Sequence, residues 1–199
     1  MEIRGSRLLF YGHEVFPSGL GPDVFLAIGS LGFLFWPLDQ QKKAHYKTMF
    51  LLGYVWIMQL PNTLYLMMEF RHIVLFDNIA DSLEPTAVIA FAGLSILGLG
   101  LFTLQVYLAV TQLSFLQKNK WLATLVLSYM STWGAILGLN GLNSYEGVLF
   151  PPSVLVYSSL AFTSEWLAIT VAIGTFVSLI SLAPVCIKKE KNHGPYKIS

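Results

Sequence analysis

Glu69 and His72 are the residues whose types and spacing could support chemistry. They lie three positions apart, so on a helix they would share a face. A carboxylate and an imidazole can bind zinc or another transition metal, with Asp77 or Glu146 as a further ligand, or act as general acid and base. The same pair also fits a surface hydrogen bond at a helix end. The sequence leaves both interpretations open.

Pro61 and Asn62 precede this pair within an apolar stretch. Proline removes a backbone donor and clashes with the preceding turn, so a break or kink is predicted there. The Asn62 amide could satisfy backbone groups that the break releases. Broken helices in membranes line cavities or face protein, although a kink that serves packing alone explains the pattern equally well.

The composition excludes an ordinary water-soluble protein. Hydrophobic residues make up 55% of the 199 residues and charged residues 12%, against about 25% charged residues in a typical soluble domain. The net charge of +1 offers nothing for binding a nucleic acid. Cys186 is the only cysteine, which rules out an internal disulfide and any multi-cysteine metal motif.

Apolar stretches of about 20 residues predict an all-α bundle that crosses a membrane about five times. The predicted spans are residues 20–38, 48–68, 86–113, 121–142 and 166–187. A sixth apolar stretch, residues 148–164, begins near a Pro-Pro pair and is shorter. It could form a further span, a re-entrant hairpin or a surface segment.

The distribution of basic residues favours five spans with the amino terminus outside and the carboxyl terminus in the cytoplasm. Three arginines, Arg4, Arg7 and Arg71, would then lie outside. The other nine of the twelve basic residues would lie inside: Lys42, Lys43, Lys47, Lys118, Lys120, Lys188, Lys189, Lys191 and Lys197. The predicted organisation is an outer segment 1–19, one transmembrane domain 20–187 and a basic tail 188–199, placed in the inner (plasma) membrane.

The predicted membrane interior holds no cluster of ionisable groups of the kind that ion and proton paths require. Its deepest polar side chains are amides: Gln59, Asn62, Gln105 and Asn140. Such amides often bond to a neighbouring helix, and the pattern Gly134-x-x-x-Gly138 allows close helix packing. The many aromatic residues could contact a pigment or quinone, although simple packing is the commoner role.

Three patches resemble an uncharacterised bacterial membrane family, domain of unknown function 1361. Residues 60–65 (LPNTLY), with Glu69 and His72, resemble its LPN-x-x-Y…D-x-x-H signature. Residues 23–27 (DVFLA) are similar to its N-L-F-L-A, and residues 143–146 (NSYE) to its N-S-W-D. The resemblance implies a membrane protein whose shared residues gather near the outer face, and it implies no reaction.

The chain departs from that pattern at the acidic positions. Glu69 and Glu146 stand where the family has aspartate, and residues 139–142 (LNGL) lack the expected arginines. If those arginines bind an anionic group in relatives, this chain has lost that contact.

Three functions follow as hypotheses. The favoured one is a non-catalytic subunit or assembly factor of a larger membrane complex, with a membrane-protein partner or a second copy of the chain beside the lipid bilayer. The second is an outer-face enzyme that uses Glu69 and His72 on a lipid or polyprenyl substrate. The third is a binder or carrier of a neutral small molecule. The sequence names no cofactor.

Overall fold

The computed structural model describes residues 20–68, 85–140 and 152–191, and side chains within residues 24–68, 88–140, 152–159 and 161–186. These residues form helices joined by short turns, and none of them is in a strand. The helices are α1 (Leu20–Lys42), α2 (Tyr46–Gln59), α3 (Pro61–Met68), α4 (Pro85–Gln112), α5 (Ser114–Gln117), α6 (Lys120–Leu139), α7 (Pro152–Ala161) and α8 (Ser164–Lys191). The predicted all-α fold is confirmed.

Within the described residues, three helices are long and apolar enough to cross a membrane: Val88–Gln112, Lys120–Leu139 and Ser164–Cys186. They coincide with the third, fourth and fifth predicted spans. The first predicted span corresponds to α1, which ends in the polar run Asp39–Lys42, and the second is divided between α2 and α3. The transmembrane helical bundle is therefore observed, and the count of five spans stays a prediction.

The apolar stretch 148–164 contains α7, a helix of ten residues. At 1.5 Å per residue it is about 15 Å long, half the thickness of the hydrocarbon core. It packs beside α6, where the Trp133 indole donates to the Ser158 hydroxyl at 3.0 Å. The ten residues of α7 alone are too short to cross the bilayer, and residues 148–151 of this segment lie outside the described residues.

Each long helix buries one stripe of residues at spacings of three and four. On α1 the stripe is Ala27, Ser30, Leu34 and Leu38. Buried side chains include many hydroxyls and amides, whereas large apolar side chains such as Ile89 (71% exposed) and Leu179 (65%) face outward. Outward-facing hydrocarbon is the arrangement that a lipid environment favours, because lipid tails solvate apolar surface as well as protein does.

The helices run up and down through the bundle. Met68 ends α3 at the same end of the bundle where α6 finishes and where α4 and α8 begin, and this is called the Met68 end. The opposite end, where α1 and α4 finish and α2 and α6 begin, is called the Lys120 end. There the Gln41 side chain joins α1 to the α4–α5 junction. Its Nε2 donates to the Gln112 carbonyl and its Oε1 accepts from the Ser114 backbone N–H, both at 2.8 Å.

Gln105 joins three helices in the core. Its Oε1 accepts hydrogen bonds from Ser30 Oγ on α1 at 2.8 Å and from the Trp56 indole on α2 at 3.0 Å. All three side chains are fully buried. An indole N–H can only donate, so the amide oxygen must face Trp56. The Gln105 Nε2 has no hydrogen-bond partner among the described residues.

Candidate functional site

The chain breaks its helix between Gln59 and Pro61. Leu60 keeps right-handed helical angles (φ −56°, ψ −37°), so α3 continues from α2 as a kinked helix rather than turning back. The Leu60 carbonyl accepts from Thr63 twice, from its backbone N–H at 3.2 Å and from its Oγ1 at 2.7 Å. The Asn62 amide donates to the Gln59 side chain at 2.7 Å. A local network of side chains therefore spans the break.

Gly98 allows the backbones of α3 and α4 to meet. A Cβ at this position would lie 2.6 Å from the Thr63 carbonyl oxygen and 2.7 Å from the Met67 nitrogen. These are backbone atoms, which cannot move aside without displacing α3. Only glycine therefore permits this approach.

The opposite side of α3 packs on α6 through Gly134 and Gly138. A Cβ on Gly134 would lie 2.6 Å from Pro61 Cγ, and one on Gly138 would lie 3.4 Å from the Tyr65 ring. The Gly-x-x-x-Gly pattern thus packs helices within this chain. Because α3 also contacts α1 and α4, the motif 60–65 occupies the centre of the bundle.

An apolar cavity of about 650 Å³ opens beside the end of α3. Its volume falls within the range of about 300–1,000 Å³ that small-molecule sites occupy. Four helices form its walls: Met67 and Met68 from α3; Ala92, Ser95, Ile96 and Leu99 from α4; Ile136 and Leu139 from α6; Trp166, Ile169, Ile173 and Phe176 from α8. The cavity therefore lies in the half of the bundle at the Met68 end.

The walls of this cavity suit hydrocarbon. Ser95 carries the one hydroxyl among its described lining residues, and this hydroxyl already donates to the Phe91 carbonyl at 2.9 Å. The cavity is partly open between α4 and α8, where Ile96 is 72% exposed and Phe176 is 53% exposed. In a membrane this opening would face lipid, so an apolar molecule could enter sideways from the bilayer.

A second apolar cavity of about 450 Å³, shallower and more open than the first, adjoins it along the α4–α8 seam. Ile96 and Leu99 line both cavities. From there the second cavity continues past Gly100 towards Tyr107 on α4 and Pro184 on α8. The two cavities are therefore neighbours along the seam.

The residues that the sequence singled out for chemistry, Glu69, His72, Asp77 and Glu146, lie outside the described residues. Within the described part of the chain, no group of three histidine, cysteine, aspartate or glutamate side chains could hold a metal ion. Pro61 and Asn62 are described, and they position α3 rather than line the cavity.

The cavity residues were missed at the sequence level. Ala92, Leu99 and Ile173 belong to helices that are apolar on every side, so no periodic pattern separates a cavity wall from a lipid-facing surface. Gly98 is the one usable signal, since a glycine inside an apolar span allows close helix packing. Which helix it contacts could not be inferred.

The chain was compared with known proteins and families. No curated protein and no solved structure matches it. A family model described as "Protein of unknown function (DUF1361)" matches residues 23–180. This range contains all three patches that resemble the family, together with α3, the first cavity and all of the second cavity except Pro184. The chain therefore belongs to the DUF1361 family of proteins.

Proposed function

We propose that this protein binds an apolar, chain-bearing lipid inside its helical bundle. The observation that carries the proposal is the cavity of about 650 Å³ beside α3, whose walls offer hydrocarbon and which opens between α4 and α8 beside the exposed side chains of Ile96 and Phe176. This develops the hypothesis of a binder or carrier of a neutral small molecule. Among the described residues that line the cavity, none carries an ionisable side chain, which fits an uncharged chain.

The polar end of such a lipid would lie at the Met68 end. Met67 and Met68 line the cavity, and Glu69 follows them directly in the chain. This continuity also supports the enzyme hypothesis as a second candidate, in which Glu69 and His72 act on the polar end of a lipid whose chain the cavity holds. Binding is the step that both functions share.

The role as a non-catalytic subunit rests on composition and remains a proposal beside these two. Gly98 and Gly134 pack against α3 of the same chain. Their small size is therefore explained without a helix from a partner protein. The inner membrane and the orientation also remain proposals. They are supported by the position of Lys42, Lys43, Lys47, Lys118 and Lys120, which all lie at the Lys120 end.

Native mass spectrometry tests the binding proposal. The tagged protein is extracted gently from its own membrane as wild type, as Ala92→Trp, which fills the cavity, and as Ile89→Trp. Ile89 lies one turn from Ala92 on α4, outside the cavity and 71% exposed, so it is the matched control. Wild type and Ile89→Trp should carry a defined hydrocarbon-rich adduct that Ala92→Trp lacks.

An adduct retained equally by all three proteins, or absent from wild type, would overturn the proposal. If Ala92→Trp does not fold, Ala92→Phe replaces it as a smaller obstruction. The same spectra report a stoichiometric protein partner, which would support the subunit role.

A further inference from the structure

We infer that the Lys120 end of the bundle carries a binding site for an anionic phospholipid. The site consists of Lys47 and Phe50 on α2, Phe115 on α5 and Lys118, the C-cap residue of α5. These four residues are called the lysine–aromatic site. The inference is independent of the proposed function, because it concerns other residues at the end of the bundle opposite the apolar cavity.

Two exposed aromatic rings bring α2 and α5 together. The ring centroids of Phe50 and Phe115 lie 5.2 Å apart, and the ring planes are tilted by 42°. Both rings are exposed, as are Tyr46 and Trp121 near the starts of α2 and α6. Tyrosine and tryptophan concentrate at the depth of the lipid headgroups. The phenylalanine pair therefore lies where a phospholipid chain joins its headgroup.

One lysine accompanies each ring of the pair. Lys47 precedes Phe50 by three residues on α2, and Lys118 follows Phe115 by three residues with right-handed helical angles (φ −60°, ψ −35°). Residues three apart share a helix face, so each lysine lies on the face that carries the ring. A lysine stem can cover apolar surface while its ammonium group reaches the headgroups.

The positive charges of this site are available to a lipid. Lys47 and Lys118 are exposed, and no described carboxylate forms a salt bridge with either of them. Asp39 is the one acidic side chain that the structure describes at this end, and it pairs with Lys43. Two cations beside an apolar pair complement a phosphate diester and its acyl chain. Because a zwitterionic headgroup carries its own cation, the site should prefer an anionic lipid.

Native mass spectrometry in detergent tests this preference with dioleoyl phosphatidylglycerol and dioleoyl phosphatidylcholine. The two probes have identical chains, so the ratio of their Kd values reports the headgroup alone. Wild type should bind phosphatidylglycerol more tightly, and Lys47→Gln/Lys118→Gln should lower this preference by about fivefold for each lysine removed. The control Lys188→Gln/Lys189→Gln removes the same charge from α8, which packs mainly on α4 and α6. It should keep the wild-type ratio.

Three results would overturn the inference. Wild type could bind both lipids equally, or both double variants could lose the preference to the same extent, which would assign it to net charge. Glycerol phosphate in excess, a headgroup without chains, could displace phosphatidylglycerol, which would assign the site to a soluble phosphate. None of these results bears on lipid binding in the apolar cavity, whose described lining residues carry no charge and so contribute equally to both Kd values.

Discussion

Pro61 on α3 packs its ring into the space that Gly134 leaves on α6. The contact is close enough that a Cβ on Gly134 would lie 2.6 Å from Pro61 Cγ. Together with Gly98 on the other side, it fixes α3 between two long helices. The end of α3 then forms one wall of the apolar cavity, so the packing of this short helix determines whether the cavity exists.

Gly134→Ala should destabilise the bundle more than Gly138→Ala. The first substitution forces the Pro61 ring to move, whereas the second makes an ordinary contact with the Tyr65 ring at 3.4 Å. Overpacking of this kind costs about 1–3 kcal/mol. Unfolding in mixed micelles measures both variants, and equal stabilities would contradict the packing of α3 on α6.

Gly98→Ala should be more harmful still, because its Cβ would strike backbone atoms of α3. We expect a loss of free energy of unfolding at or above the upper end of the range of about 1–3 kcal/mol for overpacking. Gly93→Ala is the control on the same helix, with open space around the new methyl group. A Gly98→Ala protein as stable as this control would show that α3 and α4 are not in backbone contact.

The Trp56–Gln105 hydrogen bond should appear as a coupling energy. A double-mutant cycle with Trp56→Phe and Gln105→Leu isolates it, because each change removes one partner of the 3.0 Å contact. Interhelical hydrogen bonds in membranes contribute about 0.6 kcal/mol on average and about 1.7 kcal/mol at most. If the two losses in free energy of unfolding are additive, the coupling energy is zero, and this hydrogen bond does not help to hold α2 and α4 together.

Orientation can be tested by labelling single cysteines in intact cells. Cys186 is the native cysteine, so Cys186→Ser provides the background for Lys118→Cys and Ser164→Cys, two exposed positions at opposite ends of the bundle. The positive-inside rule predicts that a membrane-impermeant maleimide labels position 164 and not position 118. The reverse pattern would invert the proposed topology.

The sequence predicted the helical class because long apolar stretches are diagnostic of membrane helices. It also placed a break at Pro61, where the structure ends α2 at Gln59 and begins α3 at Pro61. These features depend on local composition and on one residue with fixed backbone chemistry, so they need no knowledge of neighbouring helices.

The cavity could not be predicted for a physical reason. Ile89 faces outward and Ile173 lines the cavity, yet both are isoleucines in helices that are apolar all round. In water, burial separates apolar from polar residues, but in lipid both faces of a helix accept hydrocarbon. The same limit applied to Gly134 and Gly138, whose spacing predicted close packing but not the identity of α3 as the partner.

Photo-crosslinking tests the central claim, that a lipid chain occupies the cavity, most directly. A fatty alcohol that carries a diazirine in its chain is incorporated into the membrane, and labelled residues are mapped by mass spectrometry. We expect labelling of Leu99 and Ile173 inside the cavity, together with exposed Ile89, and loss of the cavity labels alone in Ala92→Trp. Labels confined to exposed positions such as Ile89 and Leu179 would show that lipid only surrounds the bundle, and would contradict the account.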